Sequence, residues 1–572
     1  MLNHVAAYAM KTLPGIEPGF GAVPIKWRIS IAPDSSAQVE PFGGEYGFPV
    51  NSPEYPDNLL QGGGKSNFLV DTLQVMVLYL DEKKDDPEKY HAKHDYFVAL
   101  LKEAGKQISE LLPAVKFFTN QNNLLLAQAR LKEMGAKPNE KIFFIIGDFH
   151  PLESEPCKAW WREFRRKLLA DSVKKPKAML CLLSGETTTP AQTHQKVSGL
   201  KVVGGRGQDI VVGCDKDAFT SYGLEQAENS AMSEAMANAY VKGLDDLIAN
   251  HSKTMAGTKV AHWFKEQVAP EDDPLVWLNG FDSEDATKAS AHIAARNMLD
   301  ALRSGKRADL GNNHYYAMTL SGASGRVMVR DWMEGQFENL VENIEAWFSD
   351  LAVVARDGNG LAHDPKFMAV CSSLVRELKD LPAPTAATLW KVAVQNLPIP
   401  QPLMAQALAR FRADHIKDEP FNHARMGLIR AYFVRLQPGG DTTMTAYLNP
   451  DHPAPAYHCG RLLAIFANLQ RAALGDVGAG VVQRYYASAS QTPGLIIGRL
   501  AANARNHLTK LDGGLAWWYE KQIADVMGRL GDGAPRTLDL NGQGLFALGY
   551  YQQLAALRVS KKSNETTQGE TK

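Results

Sequence analysis

HYYAMTLSGASGRVMVRDWMEG (residues 314–335), followed at once by QFENLVENIEAWFSDL (336–351), decides the fold class. Two strand-like runs meet at a Gly/Ser/Ala turn, the signature of a β-hairpin, and a helix follows. Upstream of this stretch strands and helices are interleaved. IKWRISIA (25–32) alternates and reads as a strand; NFLVDTLQVMVLYL (67–80) reads as a buried strand or a short helix. KIFFIIGDF (141–149) and AMLCLLSG (178–185) read as core strands separated by the helix KAWWREFRRKLLAD (158–171), and DIVVGCD (209–215) as another short strand. Helical patterns cover 92–112, 120–134 and about 225–249. Downstream, from about residue 366, strand signals fade. Helices punctuated by Pro and Gly, such as LPIPQPLMAQALARF (397–411) and FNHARMGLIRAYFVRL (421–436), recur to residue 559. The class is therefore α+β: a large mixed α/β N-terminal domain over 1–365, a helical connecting region over 366–443, an all-α C-terminal bundle over 444–559, and a disordered polar tail over 560–572.

Bulk properties narrow the function classes. A chain of 572 residues exceeds what one core sustains, so two or three domains are expected. The formal net charge of −1 gives no overall nucleic-acid signature, and any such contact must come from local patches. The five cysteines are scattered, with no C-x-x-C pair, which excludes a strong zinc site and argues against a disulfide framework. No basic segment precedes a long apolar stretch at the N-terminus, and no apolar run reaches the ~18 residues of a membrane span. A soluble, cytoplasmic protein without a membrane partner is expected.

Each local motif has a functional and a structural reading. QGGGKSNF (61–68) imitates the end of a P-loop, but Leu59 stands where the first Gly belongs. A flexible Gly loop is one account. The other is a loop that approaches a nucleic-acid strand, with Lys65 on a phosphate and Ser66 and Asn67 reading base edges. His94–Asp95 and His363–Asp364 resemble parts of a metal nuclease, without further ligands at suitable spacing; exposed helix polarity accounts for them better, and no metal or cofactor is expected. SGETTTPAQTH (184–194) carries a Ser and a His but not the nucleophile-elbow pattern, so no catalytic residue is assigned. KAWWREFRRKLL (158–169) puts Lys158, Arg162 and Arg165 on one helical face with Arg166 close by. Eight basic and two acidic residues lie between 158 and 177, which suits either a phosphate-tracking face or a solvated amphipathic helix. Near 495–511, Arg499, Asn503, Asn506 and Lys510 form one stripe, making Arg499 and Lys510 further backbone-contact candidates.

Several stretches together resemble one family. KSNFLVD (65–71), CLLSGETTTPAQTHQKVSGL (181–200), AFTSYGLEQAENSAMSEAMANAY (218–240), GRVMVRDWMEGQFENLVENIEAWFSDL (325–351), AYHCGRLLAIFANLQRAAL (456–474), RYYASASQTPGLIIGRL (484–500) and LNGQGLFALGYYQQLAAL (540–557) occur in order along the chain. They are similar to the large subunit of type I-C (Dvulg subtype) CRISPR surveillance complexes. The resemblance implies a subunit without catalytic residues. It would sit near the 5′ end of a guide RNA, read a short protospacer-adjacent motif in double-stranded DNA and help open the duplex. Its implied partners are the guide RNA, the target DNA, the backbone and guide-end subunits, and a separate helicase-nuclease. Lys65 and Asn67 match the family's N-terminal Lys/Asn loop. The resemblance further implies a small subunit translated from an internal start, with Met444 as the natural position; a Met444→Leu gene that still yields the short product would exclude that start. The rival classes are a metal-dependent nuclease and a purely structural helical adaptor.

Overall fold

Trp27, Ile29 and Ile31 alternate with Arg28 and Ser30, and this period of two builds the first sheet of the computed structural model. Residues 1–13, 16–44, 46–56, 63–172, 177–279, 291–416, 422–436, 441–475, 477, 479–531 and 533–569 are described. Strand Trp27–Ile31 pairs antiparallel with Ala37–Pro41 and parallel with Lys141–Ile146. The latter pairs antiparallel with Val70–Thr72. The segment 67–80 is thus both of the things its sequence allows: the strand Val70–Thr72 and the short helix Leu73–Met76. Helices Pro87–Gly105, Leu112–Thr119, Gln121–Glu133 and Glu155–Ser172 bury their apolar faces in the same core, where Phe68 stacks on Trp161 at 5.7 Å.

The chain divides into two compact units, residues 1–199 with 206–249 and 325–327, and residues 200–205 with 250–324 and 328–572. The second unit opens with a four-stranded antiparallel meander of Ser252–Met255, Thr258–Phe264, His314–Ala323 and Arg326–Gln336. Its hairpin is the one read from the sequence. Tyr315, Ala317 and Met333 on that hairpin share one core with helices Ala291–Arg303 and Phe337–Leu351, and this core runs on without a break to Leu557. Buried side chains on either side of residues 365 and 443 belong to this one cluster. The hairpin's apolar face needs the helices that follow it, and Met444 itself is 4% exposed within that core. Among the described residues no strand follows Gln336. Helix Leu540–Gly569 runs past residue 559, into the stretch read as a polar tail.

Two expected strands shrink to two residues. AMLCLLSG keeps only Met179–Leu180, because the chain turns back at Cys181–Gly185 and leaves Leu180 and Leu182 exposed. DIVVGCD keeps only Asp209, which pairs with Val197 beside Gln208.

Candidate functional site

Gly19 starts the site. Its backbone lies at φ +83, and a Cβ there would fall 2.4 Å from Cδ of Arg165. With no side chain in the way, the Arg165 stem passes over residue 19 while Nε1 of Trp161 donates to the Gly19 carbonyl at 2.9 Å. The guanidinium then reaches Glu234, at the start of helix Glu234–Asn250, through paired bonds, one of 2.7 Å. This clamp, with Arg165 buried and Glu234 partly exposed, forms part of the wall of a cleft of about 880 Å³ that lies wholly in the first unit.

Five cationic side chains (Lys141, Arg165, Arg166, Lys196, Lys242) and three acidic ones (Glu54, Glu234, Asp245) line the cleft. Arg165 and Glu234 neutralise each other. Asp245 accepts from the Ser198 amide at 2.7 Å, yet burial pushes its carboxyl upward. The remaining balance favours an anionic or polar ligand. Segment 189–196 supplies amide and hydroxyl groups, and His194 lies in it, 8% exposed, with Nδ1 2.8 Å from the Tyr240 hydroxyl and Nε2 without a partner among the described residues.

Three stretches far apart in sequence meet here. Asn67 and Val70 come from KSNFLVD, residues 189–198 from CLLSGETTTPAQTHQKVSGL, and Glu234 from AFTSYGLEQAENSAMSEAMANAY. Of the loop residues expected to meet nucleic acid, Asn67 lines the cleft. Its Oδ1 accepts from the Tyr55 amide at 2.9 Å, and its own amide donates to Asp71 at 2.8 Å. Lys65 does not line the cleft; its Nζ sits 4.1 Å above the Tyr96 ring, and Tyr96 shares a 2.9 Å hydroxyl contact with the cleft residue Tyr55. Ser66 differs from the expectation of a base-reading hydroxyl: it is 1% exposed, and its Oγ has no partner among the described residues. Gly63 and Gly64 both adopt positive φ, so the turn itself requires glycine there; Gly62 lies outside the described residues.

The basic helix is largely neutralised within the chain. Arg162 bonds Glu17 and Glu155, Arg165 bonds Glu234, and Arg166 bonds Glu163 at 2.8 Å. Lys158 is half-buried. The expected phosphate-tracking face is thus mostly a set of ion pairs, and the carboxylates that form them come partly from distant segments that helical spacing could not reveal. Arg499 and Lys510 are exposed on helix Pro493–Leu508 and just beyond it, in the second unit, with the Arg499 guanidinium over the Tyr485 ring.

Both ring nitrogens of His94 face backbone carbonyls, Val75 at 2.9 Å and Phe118 at 3.1 Å, so this histidine ties three elements together instead of presenting a lone pair to a metal. The reading of His94 as exposed helix polarity is corrected by its 6% exposure. Among the described residues no three His, Cys, Asp or Glu side chains are grouped as metal ligands, and no helix is long and apolar enough to cross a membrane.

Burial lowers the His194 imidazole to about 4 from its ordinary 6.5. Between those values the unfolded chain binds a proton that the folded one refuses. The stabilisation is complete above pH 6.5 and is lost as pH falls towards 4, on the order of 3 kcal/mol. The first unit should melt earlier as pH drops from 7 to 4.5, and His194→Gln should flatten that dependence. An unchanged slope in the variant would contradict this account of the residue.

The chain matches the family described as CRISPR-associated protein (Cas_Csd1) over residues 8–558. No curated protein matches it. Spanning nearly the whole chain, the family match means that the protein belongs to the Csd1 family of CRISPR-associated proteins, the type I-C large-subunit family that its ordered stretches resemble.

Proposed function

We propose that the chain is the non-catalytic large subunit of a type I-C RNA-guided surveillance complex, which reads a short motif in double-stranded DNA and helps open the duplex. A guide RNA, the backbone subunits and a small subunit complete the complex, and a separate helicase-nuclease does the cutting. The observation that carries this reading is the meeting of the three family-like stretches on one cleft whose lining carries more cationic than acidic side chains. Protein reading of a short motif, with base pairing left to read the remainder, is the division of labour in guided effectors generally. Asn67 has an amide suited to base edges, since it both donates and accepts. Lys65, held on the Tyr96 ring, suits a phosphate contact that is blind to sequence.

The test uses the assembled complex, with and without this subunit, on duplexes whose target-flanking positions are randomised. Enrichment of a short flanking motif only when the subunit is present is expected. Equal recovery of all flanks would reject motif reading. Divalent-metal-dependent cleavage by the isolated chain, abolished in His94→Ala, would favour a nuclease instead.

A further inference from the structure

Tyr222 is the most exposed large hydrophobic side chain among the described residues of the first unit, at 100%, and its backbone sits at φ 61, ψ 17. A bulky residue in the left-handed region is an outlier that persists only where its surroundings over-determine it. Here they do. Lys177 donates to the Gly223 carbonyl at 2.6 Å and pairs with Glu228 at 3.2 Å. The Glu225 amide donates to Glu228 at 2.9 Å, and Nδ2 of Asn229 donates to the carbonyls of Phe219 and Gln226. Gln226, four residues on, also has positive φ. The segment is a braced turn that holds one aromatic ring out in solvent, against both backbone preference and the tendency of such a ring to be covered.

We infer that Tyr222 is a stacking contact for a single unpaired base of the opened target, an inference that rests on the nucleic-acid reading above. The composition of the turn favours a base over a protein partner. Asp215, Lys216, Asp217, Thr220, Ser221 and Gln226 are exposed and polar, so the turn itself presents one ring among polar groups and not the apolar patch that a protein interface needs. A lone ring matches the face of one base, which stacks whatever its identity.

The test is an abasic scan of both target strands, read as binding by the assembled complex. Tyr222→Ala should weaken binding by about 5- to 150-fold, and Tyr222→Phe, which keeps the ring, should bind as wild type does. One abasic position should cost the wild-type complex a similar factor and cost Tyr222→Ala nothing. Tyr222→Gly, which removes the ring and suits the left-handed backbone, should lose binding without a lower melting temperature. The inference is overturned if Tyr222→Ala binds as wild type does, if no abasic position interacts with it, or if it fails instead to assemble with the other subunits. A wild-type complex that shows no flanking-motif preference would remove the nucleic-acid reading itself, whereas a motif preference kept in full by Tyr222→Ala at wild-type affinity removes only the stacking contact.

Discussion

Asp414→Ala is expected to destabilise the second unit by about 3–5 kcal/mol, the cost of leaving a buried charge without its partner. Asp414 lies on helix Gln401–Ile416 and is 6% exposed. Two guanidiniums converge on it, Arg410 at 2.8 Å from one turn earlier and Arg425 at 2.5 Å from helix His423–Val434. Arg425 is the more deeply buried and also donates to the Ser373 carbonyl at 2.8 Å. Without Asp414, Arg410 can turn towards water, but Arg425 cannot. Arg425→Met should cost less, because Arg410 still serves the carboxylate. Replacing Asp414 and Arg425 together by apolar residues should recover much of the loss. Chemical unfolding of the full chain, followed at the transition of the second unit, measures all three. Equal midpoints for wild type and Asp414→Ala would show that the cluster is not what fastens these helices.

Gly460→Ala and Gly549→Ala are the second pair of large effects. Helices Pro455–Leu474 and Leu540–Gly569 cross so closely that a Cβ on Gly460 would lie 2.0 Å from the Phe546 carbonyl, and one on Gly549 2.1 Å from that of Tyr457. Alanine gains about 1 kcal/mol of helix propensity over glycine. Overpacking costs about 1–3 kcal/mol where side chains can shift. Here the obstacle is backbone, so the helices must separate, and the contact between the Tyr457 hydroxyl and Gln552 goes with them. A net loss of about 2 kcal/mol or more is expected from each. Gly498→Ala is the contrast: it is on an exposed helical face with nothing within 4 Å, and should gain about 1 kcal/mol. If all three substitutions stabilise alike, the crossing is looser than described.

What the sequence made legible follows from the range of the physics involved. The hairpin at 314–336, the helix Phe337–Leu351 and the helical C-terminal half rest on local period and turn chemistry, and they are where the sequence places them. The short strands near 180 and 210 are not, because whether an apolar run becomes a strand depends on a partner strand, and these have almost none. The cover of the hairpin's apolar face is a long-range matter of the same kind: Tyr315 and Met333 share their core with helices that follow them in the chain. Asn67, singled out from local pattern, lines the candidate cleft. The role of Arg165 had no local signal, since its carboxylate lies 69 residues away. Nor could spacing expose the cleft, which joins segments near residues 67, 192 and 242. The left-handed conformation of Tyr222 had no sequence signal beyond the glycine that follows it.

The central claim is that this cleft reads a short DNA motif, and Asn67→Asp tests it most directly. Aspartate keeps the oxygen that accepts from the Tyr55 amide but replaces the amide donors of Nδ2. With the assembled complex and duplexes randomised beside the target, wild type should enrich one short motif. Asn67→Asp should retain assembly and lose about 1–3 kcal/mol of discrimination at one position of that motif. An Asn67→Asp complex that enriches the same motif as strongly as wild type would contradict the assignment of motif reading to this cleft.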